Sequence, residues 1–183
     1  MNAARIPGSA ETVEAWRAGL LDRLIADVLR PVIGEPFMDL GQAADLIWLG
    51  FGEKVDAPTR RDPERRTARH RLHVMCPFRL ESNDAILVAA SDIYRPVGAI
   101  DSIENFEWDK PGANLFDASV ANFWSEHQPG FAVLDRVSSD PMGGLHLDLS
   151  SGHTIRTFPN RSGSYTQKLW MRVRKKGAYL PGC

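Results

Sequence analysis

Leu145-His146-Leu147-Asp148-Leu149-Ser150-Ser151-Gly152-His153-Thr154-Ile155-Arg156-Thr157 reads as a β-hairpin. Leu145, Leu147 and Leu149 alternate with His146 and Asp148, the two-residue period of a strand with one buried face. Ser150-Ser151-Gly152 fits a three-residue hairpin loop with glycine at the left-handed position. In that register Leu147 faces Ile155 in the core, while His146 and Arg156 share the outer face. A short loop can join only antiparallel neighbours. The stretch therefore predicts an antiparallel sheet in the C-terminal third of the chain.

Working outward, residues 131–137 read as the preceding strand, with a turn at Asp140-Pro141-Met142-Gly143-Gly144. Residues 166–173 read as a last strand with Trp170 as its anchor, completing a meander. Upstream, Leu115, Phe116, Val120, Phe123 and Trp124 share one helical face over residues 114–127, and Pro129-Gly130 stops that helix. Residues 70–80 alternate as a half-buried strand, with Pro77 marking an edge or a bulge. Ser82-Asn83-Asp84 turns the chain into a second strand over 85–90. Residues 46–51 are apolar on both faces, as in a covered strand. The polar stretch 53–69 reads as a long, mobile hairpin connection. Residues 31–44 read as a connection ending in a helical turn at Gln42 to Ala44.

The N-terminal stretch carries the clearest helical period. Val13, Trp16, Leu20, Leu24 and Val28 form one stripe, widened by Leu21, Ile25 and Leu29, and Pro31 ends it. Such a stripe packs on its own core or on a second copy of the chain as a homodimer. The expected organisation is a helical segment over 1–35 and an α+β domain over 36–183. That domain is mainly an antiparallel β-sheet meander, with the N-terminal helix and a second helix packed on the sheet.

Composition bounds the function. The 183 residues hold 22 Lys+Arg against 23 Asp+Glu, a net charge of −1; hydrophobic residues make up 43% and charged residues 25%. That is globular usage, and it excludes a disordered chain. Fifteen Gly and 12 Pro without a three-residue period exclude a collagen. Residues 1–10 lack the apolar run of a signal peptide, and no stretch approaches the ~20 apolar residues of a membrane span. Cys76 in an apolar run and a terminal Cys183 make no disulfide framework. These features predict a cytoplasmic protein with no membrane association.

The small net charge is a cancellation. Residues 54–80 hold 8 basic and 3 acidic side chains and residues 149–183 hold 7 basic and none acidic. Residues 81–148 hold 3 basic and 12 acidic, and residues 1–53 hold 4 and 8. Blocks of this kind either neutralise one another across the fold or form opposed surface patches. The basic tail, with Tyr165, Trp170, Arg172, Arg174, Lys175 and Lys176, lacks any nucleic-acid-binding signature, so nucleic acid is not the expected partner.

Reactive constellations are scarce. His70, His73 and Cys76 do not form a metal site in a regular strand. His70 and His73 point to opposite faces, and six residues at about 3.3 Å each put His70 and Cys76 about 20 Å apart. Cys76 between Val74 and Phe78 reads as a small hydrophobe, not a thiolate. No phosphate-binding glycine loop and no serine-hydrolase elbow occurs. No cofactor is expected.

The most distinctive segment is 101–117, where Asp101, Glu104, Glu107, Asp109 and Asp117 interleave with Phe106, Trp108 and Phe116. It reads as a solvated loop pinned by aromatics, as a surface for a basic protein, or as an acid/base pair. Within and beside it, Asp92, Tyr94, Glu107, Trp108, Asp109 and Asn114 are the candidate binding residues. Trp108 and Tyr94 would anchor a partner, since aromatics dominate interface hot spots, and Asp92, Glu107 and Asp109 would steer a basic one.

Five stretches together carry a resemblance. They are Ala43-Ala44-Asp45-Leu46-Ile47-Trp48-Leu49-Gly50-Phe51-Gly52, Leu72-His73-Val74-Met75-Cys76-Pro77-Phe78-Arg79-Leu80, Asp109-Lys110-Pro111-Gly112-Ala113-Asn114, Gly143-Gly144-Leu145 and Thr157-Phe158-Pro159. In this order they resemble a group of uncharacterised single-domain bacterial proteins, frequent in actinobacteria, over residues 36–172. The group has no established activity, so the resemblance implies no catalytic residues. Small bacterial proteins of this general look include suspected antitoxins and immunity proteins, which act by stoichiometric binding. The expected function is thus a cytoplasmic binding protein acting through a protein partner. The alternative is a small hydrolase or isomerase using carboxylates and a histidine, His146 or His127.

Overall fold

The computed structural model describes residues 25, 27–44, 46–98, 106–160, 168–173 and 176–181. Among these residues ten strands form two five-stranded antiparallel sheets. In chain order they are β1 (Phe37–Ala43), β2 (Leu46–Asp56), β3 (Arg66–Val74), β4 (Phe78–Glu81), β5 (Ile86–Ala89), β6 (Leu134–Ser139), β7 (Leu145–Leu149), β8 (Thr154–Thr157), β9 (Lys168–Val173) and β10 (Lys176–Pro181). The helix α1 (Leu115–Glu126) lies between β5 and β6, and a 3-10 turn, Ala90–Tyr94, follows β5 directly. The first sheet has the order β1-β2-β3-β9-β10 and the second β5-β4-β8-β7-β6. The fold is therefore α+β and mainly antiparallel.

The hairpin of β7 and β8 has the register its pattern demands, with Leu147 opposite Ile155 and His146 opposite Arg156. Gly152 takes φ +86° in its loop, a conformation that glycine adopts at no steric cost. Helix α1 starts and stops where its pattern does. The Asn114 side chain caps it and the chain leaves the helical conformation at His127.

Four expectations need correction. Residues 37–43 are strand, not a connection with a helical turn, and they pair along β2 from Phe37↔Phe51 to Ala43↔Leu46. A register shift between Phe37 and Asp39 spaces the buried Phe37 and Leu40 three residues apart, which hides the strand period. Residues 53–69 are mostly strand: β2 and β3 extend into them through pairs such as Val55↔Thr67, leaving 57–65 as the connection. Residues 70–80 are two strands, because the chain breaks at 75–77 and passes from the first sheet to the second. The meander of β6 and β7 ends at β8, one strand short of the expected one. Strand β9 leaves it to pair with β3 in the other sheet, and the basic tail continues as β10.

The two sheets are joined at one edge. The Gly34 N–H donates to the Leu134 carbonyl (2.7 Å), the Leu134 N–H to Glu35 (3.0 Å) and the Phe37 N–H to Ala132 (2.9 Å). The lead-in to β1 thereby pairs with the lead-in to β6. Leu49, Phe51 and Leu72 from the first sheet and Leu80, Leu145, Leu147 and Ile155 from the second enter one buried cluster with Phe116 and Phe123 of α1. Full burial of such side chains stabilises the fold by about 1.5–3 kcal/mol each. Ile25, Leu29 and Val32 belong to the same cluster. Residues 27–29 are helical, while most of the helix expected over 11–30 lies outside the described residues, as do Asp101, Glu104, Tyr165 and Cys183. Cys76 is buried, 5% exposed. Among the described residues no helix is long and apolar enough to cross a membrane.

Candidate functional site

The six candidate binding residues are brought to one place by backbone pairing. The 3-10 turn exits at Arg95, whose carbonyl accepts from the Leu115 N–H (2.7 Å), and the Val97 N–H donates to Ala113 (3.1 Å). A bridge between Pro96 and Asn114 completes this short ladder. It ties the turn after β5 to the N-terminus of α1, two segments separated by a long excursion of chain.

Two of the six act as framework. The Asp92 carboxylate accepts from the Ala89 N–H (3.0 Å) and closes the 3-10 turn, and its other oxygen lies 3.6 Å from an Arg95 nitrogen. Asn114 is 0% exposed. Its Oδ1 accepts from the Asp117 N–H (2.8 Å) as the helix N-cap, while its Nδ2 donates to the Trp108 carbonyl (2.8 Å). One side chain thus starts the helix and fixes the loop that carries Trp108. Asp117 holds the same loop from the other end: one oxygen accepts from the Gly112 N–H (2.7 Å) and the other from the Gln42 amide (3.2 Å).

The remaining four form the surface. Tyr94 is 59% exposed, and its ring centroid lies 5.5 Å from that of Trp108 at 51°. Trp108 is half-buried and packs against the core cluster, so the exposed tyrosine rests on a fixed indole. Val97, 50% exposed, lies on the same ladder. Glu107 and Asp109 flank Trp108, are exposed, and form no ion pair among the described residues. Their charge is therefore directed to solvent.

The histidines named for catalysis lie elsewhere. His146 stands on the outer face of the second sheet, opposite Ser138 and Arg156. His127 sits at the end of α1, its ring stacked on Phe123 at 4.8 Å and 4.9 Å from the ring of His153. Its Nδ1 lies 3.2 Å from the Phe123 carbonyl, an acceptor only, so Nδ1 carries the proton. Burial first, and the neighbouring His127 second, hold the His153 pKa below its ordinary value. Among the described residues neither His127 nor His146 makes an ion pair with a carboxylate.

Two polar clusters were not anticipated. On the outer face of the second sheet Glu81 lies between Arg79 and Arg156, 2.6 Å from the Nε of each. On the outer face of the first sheet the Arg71 guanidinium lies 4.9 Å over the Trp48 ring and donates to Asp39 (2.9 Å). The alternation of Arg69, Arg71 and His73 against His70, Leu72 and Val74 was the available signal. Without β1 it had no Asp39 to meet. Comparison with protein-family models, curated proteins and solved structures gave no match.

Proposed function

We propose that this chain is a cytoplasmic binding protein that acts by stoichiometric association with a basic protein partner, in the manner of immunity proteins and antitoxins. The observation that carries the reading is the Tyr94–Trp108 pair. An aromatic ring 59% exposed on a half-buried indole, on a loop whose backbone is tied down by Asp92 and Asn114, needs little ordering when it binds. Aromatic side chains in such positions supply most of the binding energy of interfaces. The unpaired Glu107 and Asp109 favour a partner of positive charge and would speed its encounter. The resemblance to a bacterial group with no established activity, in a chain whose sequence lacks a reactive constellation, agrees with binding in place of turnover.

Capture from the lysate of the source organism tests this, with wild-type protein beside a Trp108→Ala, Asp109→Ala variant. The expected result is a basic protein retained by the wild type, lost from the variant, and released as salt rises. Hydrogen exchange on the captured complex should show protection at 94–97 and 106–110. Equal recovery by wild type and variant would refute the reading.

A further inference from the structure

The two basic blocks of the sequence meet in one sheet, because β3 pairs with β9. The register puts Arg71 between Gly50 and Arg172, and His73 between Trp48 and Trp170. The alternate residues Leu49 and Leu72 enter the core, so Trp48, Arg71 and His73 belong to the sheet's outer face. There a cleft of about 410 Å³ opens between β3 and the 57–65 connection, lined by Thr59, Arg65, Thr67, Arg71 and His73 among others. That volume suits a small-molecule ligand.

We propose that this cleft binds a small ligand through an oxyanion group, a phosphate or a carboxylate. Three hydrogen-bonding atoms in and beside it are buried without a partner among the described residues: Arg71 Nε, Thr67 Oγ1 and Trp48 Nε1. Folded proteins leave few such atoms, and of the seven among the described residues these three lie in and beside the cleft. Two are obligate donors and the third is a hydroxyl able to donate, so the group that satisfies them is an acceptor. The Arg71 side chain is 17% exposed and held in place. Asp39 accepts from its Nη2 and the Trp48 ring lies beneath it, which leaves the Nε edge as the unused part of a fixed donor fork.

Charge favours an anion. Arg65 lines the cleft, and Arg60 and Arg61 are exposed on the same connection. The carboxylate in the lining, Asp56, lies 3.4 Å from Arg66 Nε, which offsets its charge. A stacked nucleobase is disfavoured, because the Trp48 ring is already covered: the Arg71 guanidinium lies over it, and a Cβ added at Gly41 would strike it.

The test reads the Arg71 Nε–H and Trp48 Nε1–H resonances in 1H–15N spectra of the full chain, assigned with Arg71→Lys and Trp48→Phe. Inorganic phosphate and citrate are titrated separately to about 10 mM, enough to saturate a millimolar site, against sodium chloride at matched ionic strength. The expected result is a saturable shift of the Arg71 Nε–H with at least one of the two anions. A response to phosphate alone assigns a phosphate ligand, and one to citrate alone a carboxylate. Thr67→Val, nearly isosteric, should weaken binding about tenfold, the worth of one charge-assisted hydrogen bond. Trp108 resonances unchanged from wild type would show that this variant folds. No shift beyond the chloride control, or equal affinity in Thr67→Val, would overturn the proposal.

Discussion

Replacing Asn114 with alanine removes two hydrogen bonds from a site that water does not reach. The first is the N-cap of α1, from the Asp117 N–H to Oδ1 at 2.8 Å; losing such a cap costs about 0.5–2 kcal/mol. The second runs from Nδ2 to the Trp108 carbonyl at 2.8 Å. Its loss leaves a carbonyl without its donor, at about 1–3 kcal/mol if the site stays dry. Together the substitution should cost about 1.5–5 kcal/mol, against a total stability of about 5–15 kcal/mol for a domain. Asn114→Ser separates the two contributions. Serine is a good cap but too short to reach the Trp108 carbonyl, so it should recover about 1 kcal/mol. Urea unfolding followed by far-ultraviolet circular dichroism measures both variants. Acrylamide quenching reports the loop, and Trp108 should become more accessible in both. A cost below about 0.5 kcal/mol for Asn114→Ala would refute the claim that this side chain joins the helix to the aromatic surface, because either bond alone is expected to exceed it. So would a serine variant no more stable than the alanine one.

Other consequences follow from packing and titration. A Cβ at Gly41 would overlap the Trp48 ring, so Gly41→Ala should destabilise by about 1–3 kcal/mol, as overpacking does. Trp48→Leu should absorb most of that cost in a double-mutant cycle, and a cycle without coupling would show that the two residues do not collide. Burial, then His127, lowers the His153 pKa below its ordinary 6.5, so the folded chain favours the neutral ring. Below its ordinary value the unfolded chain then binds more protons than the folded one. Stability should be full above that value and fall as the pH drops below it, until the folded-state pKa is crossed. Melting temperatures measured between about pH 5 and 8 should show this slope, and His153→Gln should flatten it; an equal slope in both proteins would refute the assignment.

Local patterns were read correctly where the chain's nearest neighbours in space are also neighbours in sequence. The β7–β8 hairpin needs only its own alternation and a glycine at position 152, and its register follows from both. Helix α1 carries its cap, Asn114, and its stop, Pro129-Gly130, beside it in the chain. Strand β1 escaped because a bulge near Met38 breaks its period. The candidate set 92–114 was legible as a cluster of acids and aromatics. That Asp92 and Asn114 are structural while Tyr94 stands exposed on a half-buried Trp108 was not, since it depends on the ladder between residues 95–97 and 113–115.

The amino-acid sequence by itself determined an antiparallel α+β fold, because the two-residue and 3.6-residue periods are properties of single segments. Tertiary structure decided which strands share a sheet. Pairing across long separations depends on how the whole chain closes its core, and no segment carries that information alone. The charge blocks show the consequence. Their sum of −1 was plain from composition. Only the pairing of β3 with β9 put residues of both basic blocks side by side, with Arg71 opposite Arg172 in the register.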